Sequence, residues 1–308
     1  MAAAFNLSKN QGTVMRLTTK AALAVLALLP LGSACAGESP FGWIYTADLH
    51  PQGRSEFEHK SWLQQGQSRG DYSYWKNAEE FEYGVTDRFQ LSAYFNWSYV
   101  NAYRNGVDGL TGGPGTDLSP QENPLARHRK TRFDSVSVEA IYQVLNPLVD
   151  PIGLALYVEP EWGPHERALE WRIILQKNLL DDRFVLAANL LGESEHEKYY
   201  GEVERASMLD FSAGFSWRFT DNWSVGLETR NHQEFEGYRY DSREHSAWFL
   251  GPNLHYAAQR WWLTAAWRHQ LPVVKAFNEE QREAVVGDRI YGDEHARNEF
   301  MLKLGIPF

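Results

Sequence analysis

From residue 89 onward, apolar side chains recur at every second position. Phe89, Leu91, Ala93, Phe95, Trp97 and Tyr99 alternate with Gln90, Ser92, Tyr94, Asn96 and Ser98. Leu209, Phe211, Ala213, Phe215, Trp217 and Phe219 alternate with Asp210, Ser212, Gly214, Ser216 and Arg218. Trp223, Val225 and Leu227 repeat the pattern, and so do Phe300, Leu302, Leu304, Ile306 and Phe308. A strand sends successive side chains to opposite faces, so each segment predicts a strand with one apolar and one polar face. A helix would spread the polar residues around its whole circumference.

Short turn-like segments separate these runs: YGVTDRF at 83–89, LVDPI around Asp150, LLDDRF around Asp182, RFTDNW around Asp221 and AAQRWW around Gln259. Four carry Asp, which hydrogen-bonds its own backbone in tight turns. Each interval between turns must hold a strand out, a loop and a strand back, so the five turns predict ten strands. A first strand over 55–65 and a last over 296–308 bring the total to about twelve. An even number puts both ends of the wall on one side, and short periplasmic turns opposite long outer loops complete the expected asymmetry. The longer polar connections are 66–75, 101–131, 163–167, 194–205, 233–243 and 271–295. Loop 101–131, with its NGVDGLTGGPGTD run, is expected to be mobile. The fold class predicted is all-β: a transmembrane, antiparallel, up-and-down β-barrel. Strand phase is not fixed before residue 76, and no faces are assigned there.

Composition sharpens this reading. The chain holds 12 Trp, 15 Tyr and 16 Phe beside a mean hydropathy of −0.49. A soluble sandwich or barrel also alternates, but it would have to cover such large aromatics. Beyond the N-terminus no stretch approaches the roughly 20 apolar residues of a spanning helix, which leaves the barrel as the membrane solution. Trp and Tyr near strand ends, among them Tyr83, Trp97, Trp217, Trp223, Tyr256 and Trp267, suit interfacial girdles.

Residues 1–36 contain no acid, carry Lys9, Arg16 and Lys20, and run through AALAVLALLPLGSACA. This reads as a secretory signal peptide cleaved before Gly37, with Met15 as an alternative start and lipid attachment at Cys35 as a rival reading. The domains expected are therefore a signal peptide (1–36), a periplasmic N-terminal segment (37–53) and an outer-membrane barrel (54–308). The whole chain has 30 basic and 40 acidic side chains, and three of the bases leave with the leader. So acidic a chain lacks the basic face that nucleic acid requires. Without Cys35 it contains no cysteine, so it must be held by burial and hydrogen bonding alone.

Three phrases carry a resemblance: YTADLHPQG at 45–53, EYGVTDRFQ at 82–90 and NGVDGLTGG at 105–113. They resemble those of a group of uncharacterised proteobacterial outer-membrane β-barrel proteins. The resemblance implies export and a barrel and brings no established activity. The phrase YGVTDR also occurs in other barrel families, including proposed transporters of aromatic-compound pathways.

No Walker loop, dinucleotide fingerprint, HExxH or GxSxG occurs. His59-Lys60-Ser61 has the His-x-Ser form of outer-membrane phospholipases, in which imidazole and hydroxyl share a strand face; no third partner is evident, and the bland alternative is two polar residues on the first strand. No enzyme and no cofactor is expected. His165, His196, His232, His245 and His295 fall in or beside predicted outer loops, where imidazole with carboxylate can bind Zn, Cu or Ni, although polar residues gather in loops anyway. The phased strands assign to the lumen the acids Glu80, Glu82, Glu139, Glu159, Glu161, Glu170, Asp210, Glu228 and Glu299, and the bases Arg172, Arg218, Arg230, Arg268 and Lys303. An excess of carboxylates in a confined space favours cations. The function expected is a narrow channel or transport barrel for small solutes or cations. The alternatives are a closed barrel binding metal or lipopolysaccharide at its surface, and the phospholipase. Outer-membrane lipid, lipopolysaccharide and the barrel assembly machinery are the expected partners, the last reading the terminal Phe308.

Overall fold

The structure is a computed structural model and describes residues 39–292 and 295–308; the signal-peptide, Met15 and Cys35 readings lie outside these. Eleven strands follow in order: β1 (Ser55–Gln65), β2 (Asp71–Thr86), β3 (Phe89–Tyr103), β4 (His128–Leu145), β5 (Gly153–Trp162), β6 (Glu166–Leu179), β7 (Phe184–Tyr199), β8 (Glu202–Arg218), β9 (Trp223–Glu236), β10 (Ser242–Ala257) and β11 (Trp262–Gln270). An outer connection then carries β12 (Lys275–Ala276), helix α1 (Glu279–Glu283), β13 (Val285–Val286) and β14 (Arg289–Ile290). The last strand, β15 (Asn298–Pro307), pairs antiparallel with β11 and with β1. The sheet thus closes into a barrel of twelve wall strands, each antiparallel to its neighbours.

The predicted phase holds around the wall. Phe95, Phe211, Phe215, Trp217, Leu227, Trp267, Phe300 and Leu302 are exposed on the outside, while Ser92, Asp210, Ser216 and Lys303 are buried inside. An apolar, aromatic exterior around a polar interior is stable in lipid, where closure leaves no unpaired edge. This is a bacterial outer-membrane β-barrel. The first strand, whose phase the sequence left open, sends Glu56, Glu58 and Gln64 inward and exposes Phe57.

One outer connection differs from expectation. The predicted loop 194–205 is mostly strand: β7 and β8 stay in register to Tyr199 and Glu202, and the tip is Tyr200-Gly201, both at positive φ. Such two-residue tips match the twist of a hairpin. Above the lipid both faces of a strand meet water, so the apolar alternation that marks a strand disappears although the ladder continues.

The expected periplasmic segment also lies elsewhere. Phe41, Ile44, Ala47, Leu49 and His50 are all buried because residues 39–50 run inside the barrel. The chain enters at the tight-turn end beside Gly84, where an added Cβ would stand 2.3 Å from the Pro51 carbonyl oxygen and 2.5 Å from that of His50. Only glycine permits that approach. Ile44 and Phe41 pack against Ala187, while Ala47 and Leu49 pack against Ile141, Ala155, Tyr157 and Ile174.

The Gly-rich outer loop, expected to be mobile, closes on itself. Asn105 bonds both to the Gly112 carbonyl and from the Gly112 amide, Leu110 N donates to Asp108 at 2.9 Å, and the Tyr72 hydroxyl holds the Pro114 carbonyl at 2.9 Å. The third phrase of the resemblance is therefore a compact turn bonded within itself at the outer mouth.

Candidate functional site in the barrel lumen

An extended segment inside a barrel has no strand partner, so its backbone groups need side chains from the wall. The wall supplies them in order around the lumen. His50 N donates to Gln90 Oε1 at 3.0 Å, Ala47 N to Gln176 Oε1 at 2.7 Å, and Tyr45 N to Asn189 Oδ1 at 2.7 Å. The Gly42 and Trp43 amides both donate to Glu228, at 2.6 and 3.0 Å. In return Gln143 and Asn189 donate to the carbonyls of Ala47 and Tyr45 at 2.7 and 2.9 Å. Thr264 closes the course by donating to Ser39 O at 3.2 Å. The segment thus spans the wall from β3 to β11 as a partial ring within the lower half of the lumen.

Two of the resembling phrases meet at its entry. His50 Nε2 lies 3.2 Å from Glu82 Oε2, Gln90 also donates to Glu82, and Gln52 N donates to Asp87 at 2.9 Å. YTADLHPQG is the lumen segment and its turn; EYGVTDRFQ is the wall that receives it.

Above the ring, Tyr45 and Trp43 form the floor of a chamber. Arg172 lies 4.2 Å over the Tyr45 ring and Arg268 4.0 Å over that of Trp43, and Lys60 Nζ donates to the Tyr45 hydroxyl at 3.2 Å. The chamber has a volume of about 300 Å³ and is walled by aromatics and charges from β1 to β9 together with Arg268 of β11 and Met301 of β15. Through Tyr45 and Lys60 it adjoins a neck of about 40 Å³ between the segment and the walls of β1 to β4 and β15. Five carboxylates, of Asp48, Glu58, Glu80, Glu82 and Glu139, line the neck beside two ammonium groups, Lys60 and Lys303. Below it a cavity of about 370 Å³, sharing Asp48, opens among the periplasmic turns. Above the chamber an acidic vestibule lined by Asp117, Glu195, Glu197 and Glu204 leads outward.

Thirteen of the predicted lumen charges sit within the barrel or on its chamber wall, and Arg218 lies at the periplasmic cavity. Four of the five bases are paired. Arg172 bonds Glu170, Arg230 bonds Asp210 and Arg268 bonds Glu299. Lys303 lies 3.1 Å from Glu58. The surplus acids are held by hydroxyls: Glu139 by Ser92 at 3.0 Å and Tyr94 at 2.6 Å, Glu159 by Ser137 and Tyr157, and Glu161 by Ser135. Charge reading missed Lys60, which lies 2.6 Å from Glu80, because β1 had no assigned phase. It also missed the amides Gln90, Gln143, Gln176 and Asn189, which are neutral. Asn189 left the clearest signal, as the lone polar residue in VLAANLL.

Three of the five candidate histidines, His232, His245 and His295, come together with Glu234. His165 stacks on Tyr199 and His196 on Tyr238, both away from that group. The His-x-Ser pair lies on the outer face of β1. His59 Nδ1 is 3.0 Å from Glu79 Oε1, whereas the Ser61 hydroxyl donates to Asn77 at 2.8 Å. The hydroxyl proton goes to an amide oxygen, so the pair lacks the nucleophile-to-base contact that hydrolysis requires. Phe308 completes the seam: its amide donates to Ser55 O at 2.8 Å, and its ring lies 5.9 Å from that of Phe81.

Among solved structures, an outer membrane channel from Pseudomonas putida F1 shares the fold, with a TM-score of 0.50 at 10% identity over 84% of this chain and 96% of that one. The NanC porin aligns with a TM-score of 0.49 at 9% identity over 81% and 98% of the two chains. The KdgM porin aligns with a TM-score of 0.45 at 10% identity over 82% and 99%. A search of curated proteins found no match. The model of DUF6662, a family of unknown function, matches residues 33–308, and the chain belongs to that family.

Proposed function

We propose that this barrel is a narrow outer-membrane channel for small solutes, selective for cations and throttled by its own N-terminal segment. The observation that carries the reading is the series of adjoining cavities from outer vestibule to periplasmic mouth, the smallest of them lying between the segment and the wall. A plug would need only packing. Here the segment leaves a neck in which carboxylates outnumber ammonium groups. In a space with low-dielectric walls such an excess attracts cations and repels anions, and carboxylate rings are a common cation filter.

The rival reading is a closed barrel, favoured by the hydrogen bonds that anchor the segment all round the lumen. Planar-bilayer recording separates the two. The intact protein is expected to give small, cation-selective steps, with a reversal potential of cation sign in a KCl gradient. A variant lacking residues 39–50 is expected to give larger steps. Folded protein silent in both forms would reject the channel, and anion preference would reject the selectivity.

A further inference from the structure

The four side chains brought together at the outer end of the barrel come from three elements. His232 and Glu234 stand two residues apart on β9 and so share its inward face. His245 lies directly across from Glu234 on β10. The register shifts between Arg243 and His245, leaving Glu244 as an extra residue, and such a bulge re-aims the side chain that follows. His295 comes from the outer connection, where its amide donates to Gly292 O at 2.9 Å. The three imidazoles are at most 1% exposed.

We propose that His232, His245, His295 and Glu234 form a site for a divalent transition-metal ion of Zn²⁺ character, which pins the outer connection to the barrel wall. One ligand atom from each residue lies within 4.8 Å of all the others. A tetrahedral ion with metal–nitrogen bonds of about 2.0–2.1 Å holds its ligand atoms roughly 3.3 Å apart. The Nε2 atoms of His245 and His295 are 3.0 Å apart, and Glu234 Oε2 is 3.6 Å from His245 Nε2.

The surroundings match a ligand set. His232 Nδ1 lies 2.6 Å from Asp210 Oδ1. In the tautomer that donates from Nδ1 to this carboxylate, Nε2 keeps its lone pair. That buried Nε2 has no hydrogen-bond partner among the described residues. A carboxylate behind a histidine is the usual second support of a metal-bound imidazole, fixing its tautomer and raising its basicity. Arg230, 2.7 Å from His232 Nδ1, is the neighbouring cation, and its charge is met by Asp210 and by Glu299 at 4.0 Å. Three imidazoles and one carboxylate suit Zn²⁺, Co²⁺, Ni²⁺ or Cu²⁺, whereas Mg²⁺ and Ca²⁺ prefer all-oxygen sets.

The inference is independent of whether the lumen conducts. Full-length protein in detergent, stripped with chelator, would be titrated with Zn²⁺ by calorimetry and with Co²⁺ by visible absorption. One equivalent of each is expected, with tetrahedral Co²⁺ bands and no competition from Mg²⁺ or Ca²⁺. Asp210→Asn should weaken binding about 10–100-fold, and His245→Ala should abolish it. His295→Ala, in the connection and so separate from barrel closure, should abolish it while leaving heat-modifiable, folded protein. Zn²⁺ should also slow proteolysis within residues 271–297 of the parent and not of His295→Ala. Absence of saturable binding in the parent would overturn the site. So would binding that survives His245→Ala and His295→Ala but is lost on replacing the outlying His165 and His196.

Discussion

Single side chains in this barrel are read by which of two solvents they face. Phe211 is 44% exposed on the outer wall, in the middle of a strand. Phe211→Arg would place a cation against lipid and is expected to destabilise the fold by about 2–4 kcal/mol near the midplane. Ser216→Arg points instead into the periplasmic cavity beside Asp182 and Asp221 and is expected to be tolerated far better. Urea unfolding into lipid vesicles measures both, and equal destabilisation would show that the faces are misassigned. The same rule makes the His59–Glu79 pair on the outer face notable. Lipid penalises a lone carboxylate, and the imidazole 3.0 Å from Glu79 gives it a hydrogen-bond partner there.

At the scale of elements, the N-terminal segment and the strands that hold it form one unit. Each hydrogen bond between the segment and a wall amide adds about 0.5–1.5 kcal/mol and each that the Glu228 carboxylate accepts about 1.5–3 kcal/mol, and an unmet backbone group inside the barrel would cost about as much or more. The entry point is the most sensitive place, since β2 carries glycine where the chain crosses it. Gly84→Val would drive a side chain into the His50 and Pro51 carbonyls, and the expected result is a displaced segment. Protease cleavage within residues 39–50, together with a larger conductance, would report the displacement. A variant as resistant and as narrow as the parent would show that the crossing has slack.

For the molecule as a whole, the strand that closes the wall is also the last to be made. Closure depends on ten register pairs between β1 and β15, and Phe308 extends that seam by exchanging backbone hydrogen bonds with Ser55. Deleting Phe308 removes both of these bonds and a ring that packs on Phe81. Assembly into the outer membrane is expected to fall, measured as the heat-modifiable fraction in isolated membranes. Unchanged assembly would mean that the terminal aromatic is dispensable for recognition.

The sequence by itself determined the wall. Lipid outside and water inside impose opposite chemistry on alternate residues, so Leu91, Phe95, Phe211 and Leu302 announce their face without any knowledge of their neighbours. Asp-bearing turns then fix the strand count, because they punctuate the alternation at the end where connections are shortest. That signal ends where lipid ends, which is why β7 and β8 run on through a stretch that reads as a loop. What fills the lumen was decided only by the tertiary structure. Residues 39–50 carry no period, since their backbone partners are side chains on six different strands rather than one neighbouring ladder. The amides that receive them are neutral and isolated, and they acquire meaning only when closure brings Gln90, Gln176 and Asn189 around one path. His232, His245 and His295 are likewise scattered over 64 residues of chain. They meet because a bulge, a strand pair and an infolded connection converge, and that convergence depends on long-range packing that no local pattern records.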